Sequence, residues 1–503
     1  HVALVAAWVV VVTSQMDPEM VSEAMRHFAD VCAHPPAAQR NAVPGPLPES
    51  DLESHGLKFV AVNLIFRHGA RGAMHDPLGC FAPEMARGVF SECHLRSASA
   101  ITAQGRGNAQ AGGVPPMLKM YHDSYQEQPN ASGAGTGCGP AQLLDEARLQ
   151  FRALALAARD AFFGRLPQEP TRETTWMYST DTDRTLGSTY LFQDALFGEA
   201  EDASEPGRVQ TRNFQADAWS CRSPCAVAKA EIAARKKRDF WSGDAGEAGQ
   251  KRAIEELAER WREAFGKPFS GACHDPVLVS RCSGRLPNAT LPHGGGVSVA
   301  DRDRLMDEAV VEYHWRTMRM YLGHKEAWTL LIAPALLELQ EFARRQASGE
   351  EKRAFATWAT HDTTIVPLLV SLGVWDLDWP QYTETLALEV YRQEPQGASS
   401  AGKVYLRFLR RGRVLQVPSC GSSGPLGLCE LDSFLPNAVV KFRDRQLWAT
   451  ACSASPLKAT VAAEVLSGAA EASLGGRSQG AWLALGVVAV AAAAFLAGGL
   501  AGA

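Results

Sequence analysis

The segment Lys58 to Arg71 reads KFVAVNLIFRHGAR, and the reading of the whole chain starts from it. Phe59 to Phe66 is almost continuously apolar and rich in Val and Ile, the pattern of a strand buried on both faces of a mostly parallel sheet. Polar residues then begin abruptly. Arg67, His68 and Arg71 surround Gly69 where such a strand would leave the sheet, and the carboxyl ends of parallel strands are where α/β proteins place ligands. Two guanidinium forks beside one imidazole suit a dianion such as phosphate, because each fork offers planar, permanently charged donors to tetrahedral oxygens. Neutral imidazole has one free lone pair, which makes His68 the expected nucleophile; its attack on phosphorus would leave a phosphohistidine for water to hydrolyse. A short Arg-His-Gly-x-Arg run also fits an ordinary charged loop, so the reading depends on what accompanies it elsewhere.

Two later stretches accompany it. Thr174 to Ser179 is aromatic and β-branched, as a strand would be, and Asp181-Thr-Asp183 beside it offers helix N-caps. Arg184 then falls in the first helical turn, a position from which a cation and the backbone N–H groups of that turn face an anion at the strand ends. Ser188 lies four residues on, on the same helical face. Ala354 to Thr360, AFATWAT, is the third strand expected here, ending in His361-Asp362 and followed by the helix-like PLLVSLGV. A His-Asp dipeptide alone is usually structural; its placement at a strand end is what raises the functional reading. The chemistry needs such a pair. If His68 attacks phosphorus, Asp362 can protonate the leaving alkoxide at acidic pH, and His361 as imidazolium adds a donor to the phosphate oxygens. Arg67, Arg71 and Arg184 would neutralise the equatorial oxygens as Mg²⁺ does in kinases, so the scheme calls for no metal and no cofactor.

Composition narrows the class. With 503 residues, 46% hydrophobic and 21% charged, the chain has globular values and room for a large core, and a formal charge of −5 offers no basic surface for nucleic acid. Ala3 to Val12 is a short unbroken apolar run that reads as the h-region of a secretory signal, with residues 1–20 as its remnant, and a chain starting at His1 suggests a missing or processed start. Eleven Cys fit an exported protein. Short separations suggest the pairs Cys80/Cys93, Cys221/Cys225, Cys273/Cys282 and Cys420/Cys429, and an odd count leaves at least one thiol over. Asn130-Ala-Ser132 and Asn288-Ala-Thr290 are glycosylation acceptors if the chain is exported. Ala481 to Ala503 is uncharged and long enough to span a bilayer. Ser467, Gly468 and Ala469 precede it after a short spacer, the order of a glycosylphosphatidylinositol signal, with a retained membrane span as the alternative over residues 467–503. The partners expected are therefore a phosphomonoester, the membrane through this anchor, and no nucleic acid; a homodimer is compatible.

Between the motifs, 199–345 contains charge-rich helical sequence and Cys/Pro/Gly-rich stretches, read as an inserted helical cap; Ala141 to Phe163 has amphipathic helical spacing. Residues 436–466 are the membrane-proximal segment. One catalytic unit with two subdomains explains this order more simply than two independent domains.

Taken together, Arg67-His68-Gly69-Ala70-Arg71, Tyr178-Ser-Thr-Asp-Thr-Asp-Arg184-Thr-Leu-Gly-Ser188 and Thr360-His361-Asp362-Thr363 resemble the histidine acid phosphatase branch of the histidine phosphatase superfamily. Trp379-Pro-Gln-Tyr382, Leu386-Ala-Leu-Glu389, Tyr405-Leu-Arg-Phe-Leu, and Cys420 to Cys429 followed by Glu430-Leu-Asp-Ser-Phe434 look like the end of that family's catalytic domain, here 57–435. The resemblance implies a mostly parallel α/β sheet with an inserted helical cap. It also implies His68 as phosphorylated nucleophile, Arg67, Arg71, Arg184 and His361 as phosphate ligands, and Asp362 as proton donor. The related mutase-like branch usually lacks the His-Asp pair, which favours the acid phosphatase and phytase side. One departure is Ala73, where the family commonly has Pro two residues after the second Arg; Pro77 comes later. The alternatives carried forward are a phytase or inositol-polyphosphate phosphatase and a catalytically silent surface protein on the same fold.

Overall fold

A computed structural model describes residues 43–74, 80–81, 117–121, 141–198, 207–214, 216–222, 224–241, 247–269, 273–282, 297–394, 402–421 and 424–453. The proposed leader and C-terminal anchor, both glycosylation sequons, Pro77 and Cys93 lie outside those residues. The strands are β1 (Leu57–Arg67), β2 (Met117–Tyr121), β3 (Thr175–Ser179), β4 (Gly207–Thr211), β5 (Phe355–Thr360), β6 (Thr385–Gln393), β7 (Val404–Arg410), β8 (Arg413–Val414) and β9 (Cys429–Glu430). They form one mixed sheet in the order β2-β4-β3-β5-β1-β6-β7-β8, with β9 on β7. From β2 to β1 the neighbours run parallel; from β1 onward they run antiparallel.

The expected double burial of β1 holds, and the reason is the period of two along a strand. Val62, Leu64 and Phe66 pack with Phe151 and Phe192, which belong to α2 (Glu146–Phe162) and α3 (Asp183–Phe197); α1 is the short helix Glu49–Ser54. Ala61 and Ile65, on the other face, join the larger core. Helices α4 (Ala226–Trp241), α5 (Glu247–Phe265), α6 (His274–Cys282), α7 (Val299–Gly323), α8 (Lys325–Ser348) and α9 (Asp362–Leu372) contribute to that second core. The polar Asn63 is tolerated inside β1 because its amide donates to Gln346 Oε1 of α8 at 2.9 Å, which meets the requirement that a buried donor be paired. Trp176, Trp358 and Phe342 pack together in tilted and edge-on pairs where α8 crosses β3 and β5, with ring centroids 5.3 to 6.2 Å apart. Short helices α10 (Asn437–Val440) and α11 (Arg445–Ser453) follow the sheet.

Among the described residues no helix is long and apolar enough to cross a membrane. The disulfides correct the expected short-range pairings. Cys420–Cys429 forms, but Cys80 pairs with Cys273, Cys225 pairs with Cys452, and Cys221 is a buried free thiol. Cys282 is also disulfide-bonded, though not to Cys273. Proximity along the chain failed as a guide because the fold brings Cα atoms 193 and 227 residues apart to within 5.3 and 4.6 Å, inside the range a disulfide spans.

Candidate active site

Strand register assembles the first half of the site. Arg67 at the end of β1 lies opposite Thr360 at the end of β5, so the next residues, His68 and His361, leave the sheet side by side with ring centroids 5.6 Å apart. On the other side of β5, Ser179 of β3 is level with Ala359, which puts Thr180 and the start of α3 at the same edge. Because β6 is antiparallel to β1, the turn that precedes it, Trp379 to Glu384, arrives at this edge as well.

The backbone around His68 is held tightly. Gly69 N donates to Ser188 Oγ at 3.1 Å, and Ala70 N donates to Gln150 Oε1 at 2.9 Å. A Cβ on Gly69 would stand 2.7 Å from Ala147 Cβ, so only glycine lets α2 come this close. His68 is buried, and its Nδ1 lies 2.9 Å from the Gly69 carbonyl. A carbonyl can only accept, so Nδ1 carries the proton and Nε2 keeps the lone pair that a nucleophile needs. Burial, reinforced by Arg184, Arg67, Arg71 and His361, holds the His68 pKa well below the ordinary histidine range.

Arg67 is fixed from three sides: its NH2 meets Asp362 Oδ2 at 2.7 Å, its NH1 donates to the Pro380 carbonyl at 2.8 Å, and its guanidinium lies 4.4 Å from the Tyr382 ring centroid. Asp362, first residue of α9, also accepts from Thr363 N at 2.8 Å and from Trp379 Nε1 at 3.2 Å. His361 Nε2 lies 2.9 Å from Thr180 Oγ1, and its Nδ1 lies 3.2 Å from Arg184 NH2. A guanidinium only donates, so His361 is a neutral Nε2–H imidazole here, not the imidazolium expected from the sequence. Its pKa is likewise held low, first by burial and then by Arg184, Arg67 and Arg71. Arg184 is itself lowered to about 10, by burial and then by Arg71.

Arg71 reaches a residue the sequence reading did not single out. Its NH2 pairs with Asp275 Oδ1 at 2.6 Å, from the first turn of α6, and its NH1 donates to the Gly72 carbonyl at 2.9 Å. Burial alone would lower the Arg71 pKa; Asp275 reverses this and raises it. All six predicted residues thus converge. Asp275 and Thr180 were not singled out, and Tyr382 had entered only through the resemblance; Thr180 and Tyr382 lay in stretches whose pattern had been noticed, and Asp275 did not. The Nε atoms of Arg67, Arg71 and Arg184 are all buried without a hydrogen-bond partner among the described residues. Buried N–H donors are rarely left unpaired, so three of them around one imidazole describe a socket for an anion with several oxygens.

The class these features define is an α/β protein whose sheet edge gathers a neutral histidine and three arginines. No protein-family model matches the chain. The chain is 29% identical over 429 residues to human lysophosphatidic acid phosphatase type 6, a match covering 80% of this chain and 88% of that protein. It is 22% identical over 402 residues to the bovine protein of the same name, covering 77% and 84%. Among solved structures, the phytase from D. castellii aligns with a TM-score of 0.47 at 13% identity, covering 83% of this chain and 85% of that one. These relatives are acid phosphatases by name, and the chain is similar to the histidine acid phosphatase family.

Proposed function

We propose that this protein is an acid phosphatase that hydrolyses phosphomonoesters through a phosphohistidine intermediate. The carrying observation is the neutral His68, with Nδ1–H bound to the Gly69 carbonyl, among three arginines whose buried Nε donors lack an acceptor among the described residues. The phosphate oxygens take hydrogen bonds from Arg67, Arg71 and Arg184, which supply charge where it develops in transfer. His68 Nε2 forms a bond to phosphorus as the ester P–O bond breaks, and the departing oxygen takes a proton from the carboxyl of Asp362. A water molecule then attacks phosphorus, gives its proton to the Asp362 carboxylate, and the N–P bond breaks to return neutral His68 and free phosphate. The guanidinium groups carry the electrostatic role, so the scheme routes no step through a metal.

The name of the mammalian relatives makes lysophosphatidic acid the first natural ester to assay. We also read the protein as belonging to the secretory pathway and tethered at its C-terminus; the disulfides fit an oxidising compartment. The test of function is hydrolysis of p-nitrophenyl phosphate by purified protein with chelator present. Activity favouring acid is expected, and His68→Ala should lose at least about 10³-fold in kcat/KM. Full activity in a folded His68→Ala protein would sink the mechanism, and phosphate binding without turnover by the parent protein would favour the silent-surface-protein reading.

A further inference from the structure

Asp275 stands out because it neutralises a phosphate-binding arginine from outside the sheet. Its Oδ1 holds Arg71 NH2 at 2.6 Å and its Oδ2 accepts from Met74 N at 2.5 Å, so one carboxylate joins the cap helix α6 to the loop that leaves β1. Both side chains of the ion pair are largely withdrawn from water, 7% exposed for Arg71 and 17% for Asp275, so the charge is weakly screened. The helix start is also anchored: Cys273, two residues before Asp275, is bonded to Cys80 beyond the same loop. Counted as formal charges, the site contains Arg67, Arg71 and Arg184 against Asp362 and Asp275, with His68 and His361 neutral: three positive and two negative charges, net +1. The influence of Asp275 extends to Arg184, whose guanidinium it helps to keep charged after the effects of burial, Arg71 and Asp362.

We propose that Asp275 is a charge-balancing residue of the phosphate site: it positions Arg71 while weakening the hold of the arginine cluster on tetrahedral dianions, so that phosphate leaves after turnover. The inference rests on the phosphate-site reading above and adds a sign to it. A carboxylate that serves only to orient Arg71 makes anion binding weaker when it is removed. A carboxylate that also offsets the charge makes anion binding tighter when it is removed by an isostere that keeps an acceptor oxygen.

The test is Asp275→Asn in the full chain, with sulfate as the probe because it remains a dianion throughout the acidic range. Sulfate affinity is measured by calorimetry, without turnover, and phosphate inhibition of p-nitrophenyl phosphate hydrolysis is measured beside it. The expected result is a sulfate dissociation constant and a phosphate inhibition constant each lower by roughly tenfold, from removing one nearby negative charge in a partly desolvated site, with Asp275→Glu close to the parent protein. Asp275→Ser supplies the same comparison if Asp275→Asn does not fold. Unchanged or weaker sulfate binding in the folded variant overturns the proposal and leaves Asp275 a purely structural clamp. A parent protein that binds sulfate yet hydrolyses nothing would defeat the phosphatase reading while the sulfate comparison still decides the role of Asp275.

Discussion

Arg67 and Arg71 belong to one pentapeptide, but they are held in place in different ways. Arg67 ends β1 and is fixed by residues that sheet register delivers: Asp362 after β5, and Pro380 and Tyr382 before β6. Arg71, four residues on, has left the sheet; its counter-charge comes from a cap helix more than 200 residues away in sequence, held near the loop by the Cys80–Cys273 disulfide. The contrast suggests a division of labour. The sheet half places the proposed nucleophile and acid, groups that must be aligned to within a fraction of an ångström, whereas the cap half, on the proposal above, would adjust how strongly phosphate is held.

The largest effect that tests this division belongs to Asp362. Asp362→Asn should reduce kcat on an alkyl phosphate by about 10²- to 10⁴-fold, and on p-nitrophenyl phosphate by less than about tenfold, because a good leaving group needs little protonation. Equal losses on both esters would remove Asp362 from the role of acid and undo the sheet-side half of the comparison. A smaller effect is expected on the cap side. Replacing Cys80 and Cys273 together by Ser should lower KM by up to roughly tenfold with a lesser change in kcat, because Asp275 loses its anchor and offsets Arg71 less. It should also lower stability by about 2–5 kcal/mol, the usual cost of losing a native disulfide. A fall in kcat with KM unchanged would show that the cap acts on the chemical step instead.

The smallest effect is on stability against pH. His68 and His361 have folded-state pKa values below that of a free histidine. Below the unfolded value of about 6.5 the unfolded chain therefore binds more protons, and ligand-free protein loses stability as pH falls from 7 toward the lower folded values. Each unit of depression corresponds to about 1.4 kcal/mol. Sulfate, which favours the protonated imidazoles, should raise the melting temperature more at pH 5 than at pH 7.5. His361→Gln should flatten this dependence. A ligand-free melting temperature that rises on acidification, with no change in His361→Gln, would show that the two imidazoles are not held neutral by burial and the arginine cluster.

Much of the sheet half could be read from the sequence because its causes are local. An apolar run buried on both faces, ending at Arg67-His68, marks a central parallel strand; a second run ending at His361-Asp362 marks its partner; and a polar cap before Arg184 starts a helix at the same edge. Glycine at position 69 is also explained, though only the packing of Ala147 shows why no other residue fits there. The histidine protonation states were legible only in part. A His beside arginines says nothing of which nitrogen faces which partner, and it took Arg184 donating to Nδ1 to make His361 a neutral imidazole.

By itself, then, the sequence determined the parallel strands and singled out His68, Asp362, Arg67, Arg71 and Arg184 as the candidate residues at their ends, since strand period, helix capping and side-chain chemistry act over a few residues. Tertiary structure alone decided that Asp275 answers Arg71, that Tyr382 lies over Arg67, and that Cys80 and Cys225 find partners about 200 residues away. Those contacts depend on how loops close and how an antiparallel strand returns to the active-site edge, and neither the cost of loop closure nor the direction of return is written in the residues that finally meet.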